Sequence, residues 1–190
     1  MNLPNKLTLL RVFLVPVFAV FTLYPQIPLN YIWAFLAFGT ACLTDHYDGK
    51  IARERNLVTN FGRFLDPLAD KLLVITALVC FLRLGFANVW CVLIIIAREL
   101  MVTSIRLLAL EEGGRVIAAN RWGKVKTVSQ MAAVLMVLVA HGVLEIMSSP
   151  VVPQVVLTGG DVMIWIATVL TVISGTVYVK ENIGLIGAEK

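Results

Sequence analysis

Six apolar stretches, at residues 8–24, 31–48, 64–84, 88–110, 124–147 and 154–179, take up most of the chain and leave only short breaks between them. Each is close to the ~20 residues an α-helix needs to cross the ~30 Å hydrocarbon core of a bilayer. Strands that cross a bilayer are shorter and alternate in polarity, so the stretches read as helices. A hydrophobic content of 59% with mean hydropathy +0.87 is above the roughly 45–50% apolar content of a soluble domain. The expected architecture is all-α and integral to the membrane, a six-transmembrane-helix bundle forming a single domain over residues 1–190. Pro and Gly fall mainly in the breaks, at Tyr24–Pro28, Leu84-Gly85, Gly113-Gly114 and Ser148–Pro153. Pro16 is the exception. It is expected to kink the first helix and to set an N-terminal interfacial helix apart from a spanning piece. A cleavable signal peptide is not expected, because the first apolar segment carries Arg11 and Pro16 and has no small-residue cleavage site.

Charge placement gives the orientation. With six spans, the N-terminus, the 49–63 connection, the 111–123 connection and the C-terminus share one side, and the opposite connections hold only Arg83. The excess of Lys and Arg on the first side puts both termini of this multi-pass protein in the cytoplasm. Net charge +4 and pI ≈ 9.1 suit an anionic leaflet of membrane lipids. Lys6, Arg55, Lys180 and Lys190 need no role beyond topology, and nothing in the chain suggests nucleic-acid binding. Cys42, Cys80 and Cys91 lie within or at the ends of apolar spans without metal-ligand spacing, as free thiols do.

Against this apolar background, Asp45, Asp48, Asp66 and Asp70 crowd one cytoplasmic edge. An ionised carboxylate beside a span is costly to desolvate, so four together need a cation or a proton. Two divalent ions would balance them. Asp45, Asp48, Gly49 and Ala52 follow helical spacing i, i+3, i+4, i+7 and share one face, so two candidate ligands are followed by two residues with almost no side chain. A phosphorylated or planar ligand can approach the backbone there, and Arg53 supplies a fork for phosphate oxygens. Gly62, Asp66 and Asp70 repeat the pattern on the next helix. Oxygen-only ligands suit Mg²⁺ or Mn²⁺ rather than zinc; His46 lies off the acidic face. Simpler roles exist for each acid alone. Asp66-Pro67 has the form of a helix start, and Asp45 or Asp48 could pair with Lys50 or Arg53. Four acids with glycines on matching faces favour a metal site that handles phosphate at the membrane surface.

The pattern Asp45-x2-Asp48-Gly49-x2-Ala52-Arg53-x8-Gly62-x3-Asp66-x3-Asp70 resembles, without departure, the signature of the CDP-alcohol phosphatidyltransferases. Asn2–Arg11, Asn56–Gly62, Ile96–Glu99 and Gly123–Thr127 are similar to the bacterial branch of that family that makes phosphatidylglycerophosphate. The resemblance implies six transmembrane helices, a homodimer, and transfer of a phosphatidyl group from CDP-diacylglycerol to sn-glycerol 3-phosphate with release of CMP. It also implies that Asp45, Asp48, Asp66 and Asp70 bind two Mg²⁺ or Mn²⁺ ions and that Asp70 takes the place of the general base. Gly49, Ala52, Arg53 and Gly62 fall in the nucleotide-binding part. An acceptor that carries its own phosphate needs a second basic site, for which Arg98, Arg106, Arg115, Lys124 and Lys126 are the candidates. Arg98 sits halfway along an apolar span, where a lone charge is costly; its neighbour Glu99 offers a pair, although adjacent residues on a helix point apart. Two other readings stand beside this one. The acceptor could be serine, an inositol phosphate or another phosphatidylglycerol. A small cation transporter would also set carboxylates between helices, but near the midplane rather than at one edge.

Overall fold

The computed structural model describes the backbone over residues 3–54, 60–111, 121–148 and 153–186; side chains at 3–4, 46–54, 60–64, 66–67, 107–111 and 183–186 lie outside the description. All regular structure among the described residues is helical: α1 (Leu3–Leu23), α2 (Asn30–Glu54), α3 (Asn60–Leu84), α4 (Val89–Glu111), α5 (Arg121–Ile146) and α6 (Gln154–Ile186). Three of these carry stretches long and apolar enough to cross a membrane: Asn5–Leu23 in α1, Arg121–Ile146 in α5 and Gln154–Asn182 in α6, with mean hydropathies of 1.9, 1.8 and 2.0. At 1.5 Å per residue, α2, α3 and α4 also exceed about 30 Å. Charges in their polar halves lower their hydropathy.

Helical periodicity explains how the bundle closes. On α1, Thr8, Arg11, Phe18 and Thr22 are buried and recur at heptad spacing, so one stripe faces α2 and α3 along the whole helix. On α2 the facing stripe is Ala34, Ala37, Phe38 and Ala41; the alanines allow close approach, and the Phe38 ring packs tilted against Phe18 with centroids 5.5 Å apart. On α3 the inward residues are Leu73, Ala77 and Phe81. α5 packs on α2 and α6, and α4 packs on α6, which closes a second layer over Ile95, Val134, Leu138 and Ile164.

One expectation changes, and one simpler reading falls away. α1 runs unbroken through Pro16, so no interruption divides an interfacial helix from a spanning one. Pro16 is exposed, and its neighbours on both sides lay the same stripe on α2 and α3, so packing holds the helix together across the missing N–H. Asp66 is not a helix cap, because α3 already begins at Asn60. α2 and α3 therefore carry the acidic pattern on continuous helices that project beyond their apolar halves.

Turn chemistry fixes the ends away from the acids. α3 stops in a left-handed Gly85 (φ 77°), with the Gly85 N–H donating to the Leu82 carbonyl and the Phe86 N–H to the Phe81 carbonyl, the Schellman arrangement. The Asn88 side chain accepts from the Trp90 N–H at 2.9 Å and caps α4. α2 is capped from another helix. The Glu145 carboxylate accepts from the Asn30 N–H at 3.1 Å and the Tyr31 N–H at 3.3 Å, satisfying two of the donors a helix start leaves open and matching the positive end of its dipole.

That cap joins α5 to α2 and is testable. Glu145→Ala is expected to cost about 1.5–3 kcal/mol of stability, the range for hydrogen bonds to a charged group. Glu145→Gln, which keeps one acceptor oxygen, is expected to cost less. Thermal unfolding in detergent measures both, and an unchanged midpoint for Glu145→Ala would show that the cap contributes nothing.

Candidate functional site

A cavity of about 720 Å³ opens among α2, α3, α4, α5 and α6, with Asp45 and Asp70 on one wall and Lys71, Arg98, Arg106, Lys124 and Lys126 round the rest. The two halves carry opposite charge. Each is paired with one buried residue of the other sign, Arg11 behind the acids and Glu99 among the cations.

The acidic half is organised by Arg11. Its Nη2 lies 2.9 Å from Asp45 Oδ1 and its Nη1 lies 2.6 Å from Asp70 Oδ1, so one guanidinium joins three helices and brings the two carboxylates within its own width. The Arg11 side chain is 1% exposed, against 34% for Asp45 and 41% for Asp70. The acids face the cavity and the arginine stands behind them, outside its lining. Both acids continue the inward stripes of their helices: Asp45 lies one turn beyond Ala41, and Asp70 one turn before Leu73 and Val74. The periodicity that buries apolar residues in the apolar half of each helix thus turns these carboxylates inward at its edge.

The basic half is organised by Glu99. Its carboxylate pairs with Lys126 Nζ and, at 3.3 Å, with Arg98 Nη1, all three being buried. Adjacent helical residues do pair here. The long Arg98 side chain folds back, and its Nη2 also donates to Ser174 Oγ on α6 at 2.8 Å. Gly175 makes this possible, because a Cβ at that position would lie 2.9 Å from Arg98 Cγ. Lys71 donates to Thr103 Oγ1, which itself donates to the Glu99 carbonyl at 2.7 Å. The exposed Arg106 stands 6.0 Å over the ring of Tyr178. Arg98 Nε and the Tyr178 hydroxyl are buried without a hydrogen-bond partner among the described residues, and both residues line the cavity. A polar ligand would satisfy them.

Asp45, Asp70, Arg98, Arg106, Lys124 and Lys126 thus come together on one cavity. Asp48, Gly49, Ala52 and Arg53 lie on α2, and Gly62 and Asp66 on α3, with side chains outside the described residues; Arg115 lies outside them altogether. Cys42, Cys80 and Cys91 are free thiols. Spacing alone does not single out Arg11, Lys71, Glu99, Ser174 or Tyr178. One signal for Arg11 was present, since a charge within an apolar stretch needs a partner wherever it occurs.

Two carboxylates opening to one cavity are hard oxygen donors of the kind that Mg²⁺ and Mn²⁺ take. Asp48 follows Asp45 by one turn on α2, and Asp66 precedes Asp70 by one turn on α3. Among the described residues no group of three or more His, Cys, Asp or Glu converges. The donor set that fits a metal is therefore two carboxylates in contact geometry and two in helical register.

Comparison with known proteins gives matches over nearly the whole chain. Residues 1–173 match the family model described as CDP-alcohol phosphatidyltransferase. The chain is 42% identical to the CDP-diacylglycerol--glycerol-3-phosphate 3-phosphatidyltransferase of Bacillus subtilis, over 95% of both proteins. It is 39% identical to the protein of that name from Rickettsia bellii, over 94% of each. It is also 39% identical to a probable phosphatidylglycerophosphate synthase of Mycobacterium tuberculosis, over 98% of this chain and 84% of that one.

The Glu99 cluster carries its own prediction. Removing one member of a buried ion group strands the charge that remains, at a cost of about 3–5 kcal/mol. Glu99→Leu and Lys126→Met are each expected to lower stability by about that much, and the double variant to lose clearly less than the sum. Denaturation in detergent measures the coupling, and strict additivity would mean that the pair is not coupled.

Proposed function

The chain belongs to the CDP-alcohol phosphatidyltransferase family, and from that premise we propose that it transfers the phosphatidyl group of CDP-diacylglycerol to sn-glycerol 3-phosphate, releasing CMP and forming phosphatidylglycerophosphate. The observation that carries this reading is the single cavity with carboxylates on one wall and five cations on the others. One side suits the charge-neutralised diphosphate of the donor and the other suits an acceptor that brings its own phosphate. Serine would bring no phosphate to Arg106 and Lys124, the exposed cations of the basic walls, which favours a phosphorylated acceptor. The names of the relatives favour glycerol 3-phosphate.

Members of this family are in general divalent-metal dependent, and in this chain Asp45, Asp48, Asp66 and Asp70 would hold two Mg²⁺ or Mn²⁺ ions. Bound there, such ions neutralise the diphosphate and the departing CMP. Gly49 and Ala52, one face of α2, leave room for the nucleotide beside the acids. Arg53 pairs with its phosphate oxygens, and Gly62 keeps the facing helix clear. Arg98 and Lys126 from the buried side, Arg106 and Lys124 from the exposed side, and Arg115 from the α4–α5 connection hold the acceptor phosphate. The acceptor hydroxyl is thereby directed at the phosphorus that carries the diacylglycerol. Its oxygen bonds to that phosphorus, the bond from phosphorus to the CMP oxygen breaks, and the hydroxyl proton passes to Asp70. Direct transfer needs no protein nucleophile, and the cavity-lining Thr103 hydroxyl beside Lys71 is engaged in donating to the Glu99 carbonyl.

Residues 1–190 act as one domain with six spans, α1 to α6, in a bacterial-type cell membrane. Both termini and the cavity mouth lie on the cytoplasmic side, as the placement of Lys and Arg supports. Homodimerisation is carried over from the family resemblance.

Purified protein given CDP-diacylglycerol and a panel of alcohols is expected to release CMP with sn-glycerol 3-phosphate and not with serine, inositol phosphate or phosphatidylglycerol. Activity is expected to vanish in excess EDTA and to return with Mg²⁺ or Mn²⁺. Full turnover after verified metal removal would end the metal reading, and preference for another alcohol would end the choice of acceptor.

Division of labour among the acids gives a second test. Asp70→Asn is expected to keep most CDP binding but to lose turnover by at least the roughly 10²–10⁴-fold that removal of a general base costs. Asp45→Asn is expected to weaken metal and nucleotide binding together. Metal titration of CDP binding, run beside single-turnover CMP release, separates the two. Normal turnover by Asp70→Asn at saturating metal would assign the base to another group.

A further inference from the structure

We propose that Arg11 is a positioning residue for the catalytic acids: from behind the cavity it fixes Asp45 and Asp70 at the spacing and orientation in which they bind a divalent cation. The inference rests on the metal site of the preceding subsection and adds to it a residue that lies outside the signature.

Burial is the first ground. Arg11 is 0% exposed and sits within the apolar stretch Asn5–Leu23, where a guanidinium is expensive to keep. A basic residue that only marked topology would stay exposed, as Lys6 is one and a half turns earlier.

Geometry is the second ground. The fork donates with two different nitrogens to carboxylates on two different helices, at 2.9 Å to Asp45 and 2.6 Å to Asp70. A planar fork imposes direction as well as charge; an ammonium supplies charge alone. Two carboxylates that share one guanidinium repel each other, and the positive charge between them offsets that repulsion. Arg11 does not line the cavity, so it acts on the chemistry only through the acids. Its place on α1 is fixed by Thr8, Phe18 and Thr22 of the same buried stripe. Outer-shell partners of metal ligands typically contribute about 10–100-fold to metal affinity.

A bracing role and a positioning role predict different things. If Arg11 only ties three helices together, its loss lowers stability and leaves metal affinity intact in whatever folds. If it only adds positive charge, its removal tightens binding of a cation. Positioning predicts weaker binding in both the charge-conserving and the charge-removing variant. The experiment uses the full chain in detergent, without nucleotide, and titrates Mn²⁺ alone by the paramagnetic signal of the free ion, with the melting temperature in EDTA as the control for folding. Arg11→Lys is expected to melt close to wild type and to bind Mn²⁺ about 10–100-fold more weakly. The metal concentration for half-maximal CMP release should rise in parallel, and turnover should largely recover at saturating metal. Should Arg11→Lys fail to fold, Arg11→Met takes its place, and weaker Mn²⁺ binding there, against the Coulombic trend, supports the proposal. Mn²⁺ binding equal to or tighter than wild type overturns it, and so does failure of both variants to fold, which makes Arg11 a structural brace. If the wild-type chain binds no Mn²⁺, the metal reading itself fails. If wild type binds and the variants bind alike, only the role of Arg11 fails.

Discussion

Charge carried into an apolar bundle has to be matched inside it, and this protein does so twice around one cavity. Arg11, buried behind Asp45 and Asp70, answers the acids. Glu99, buried beside Arg98 and Lys126, answers the cations. Arg11 stands behind the acids and outside the cavity lining, whereas Glu99 lines the cavity and is as buried as the two cations it holds. A ligand thus meets a surface whose desolvation cost the fold has already partly offset.

This arrangement depends on helix periodicity running without interruption from the apolar to the polar half of each helix. α2 and α3 do not stop where their apolar stretches stop; they continue to Glu54 and begin at Asn60. The stripe Ala34, Ala37, Phe38, Ala41 therefore passes into Asp45, and Leu73, Ala77, Phe81 pass back into Asp70. The packing that closes the core also aims the acids. α1 supplies the third side, and it does so only because Pro16 faces outward and leaves the helix continuous.

The second layer has a different logic. α4, α5 and α6 meet around a polar knot in which Arg98 touches both Glu99 and Ser174, and Gly175 gives the arginine its room. Nearby, Gln130 donates to Thr171 across α5 and α6 at 3.0 Å. These contacts join helices far apart in sequence, so the basic wall of the cavity exists only once the bundle is closed.

Sequence by itself determined the helices, since apolar runs of that length allow little else, and it determined the acidic pattern, since i, i+3, i+4 and i+8 spacings fix which residues share a face. It also determined the family, because eight defined positions in one unbroken pattern leave few alternatives. Tertiary structure alone decided the partners. Arg11 is 34 residues from Asp45 and 59 from Asp70, and no local periodicity links a charge on α1 to acids on α2 and α3. It likewise decided that Asp66 lies inside a helix rather than capping one, and that Glu99 holds Lys126 from another helix as well as its neighbour Arg98. Spacing along a chain fixes directions around one helix axis. Which directions meet across axes is set by how the helices pack, and that is where the charges of this site find each other.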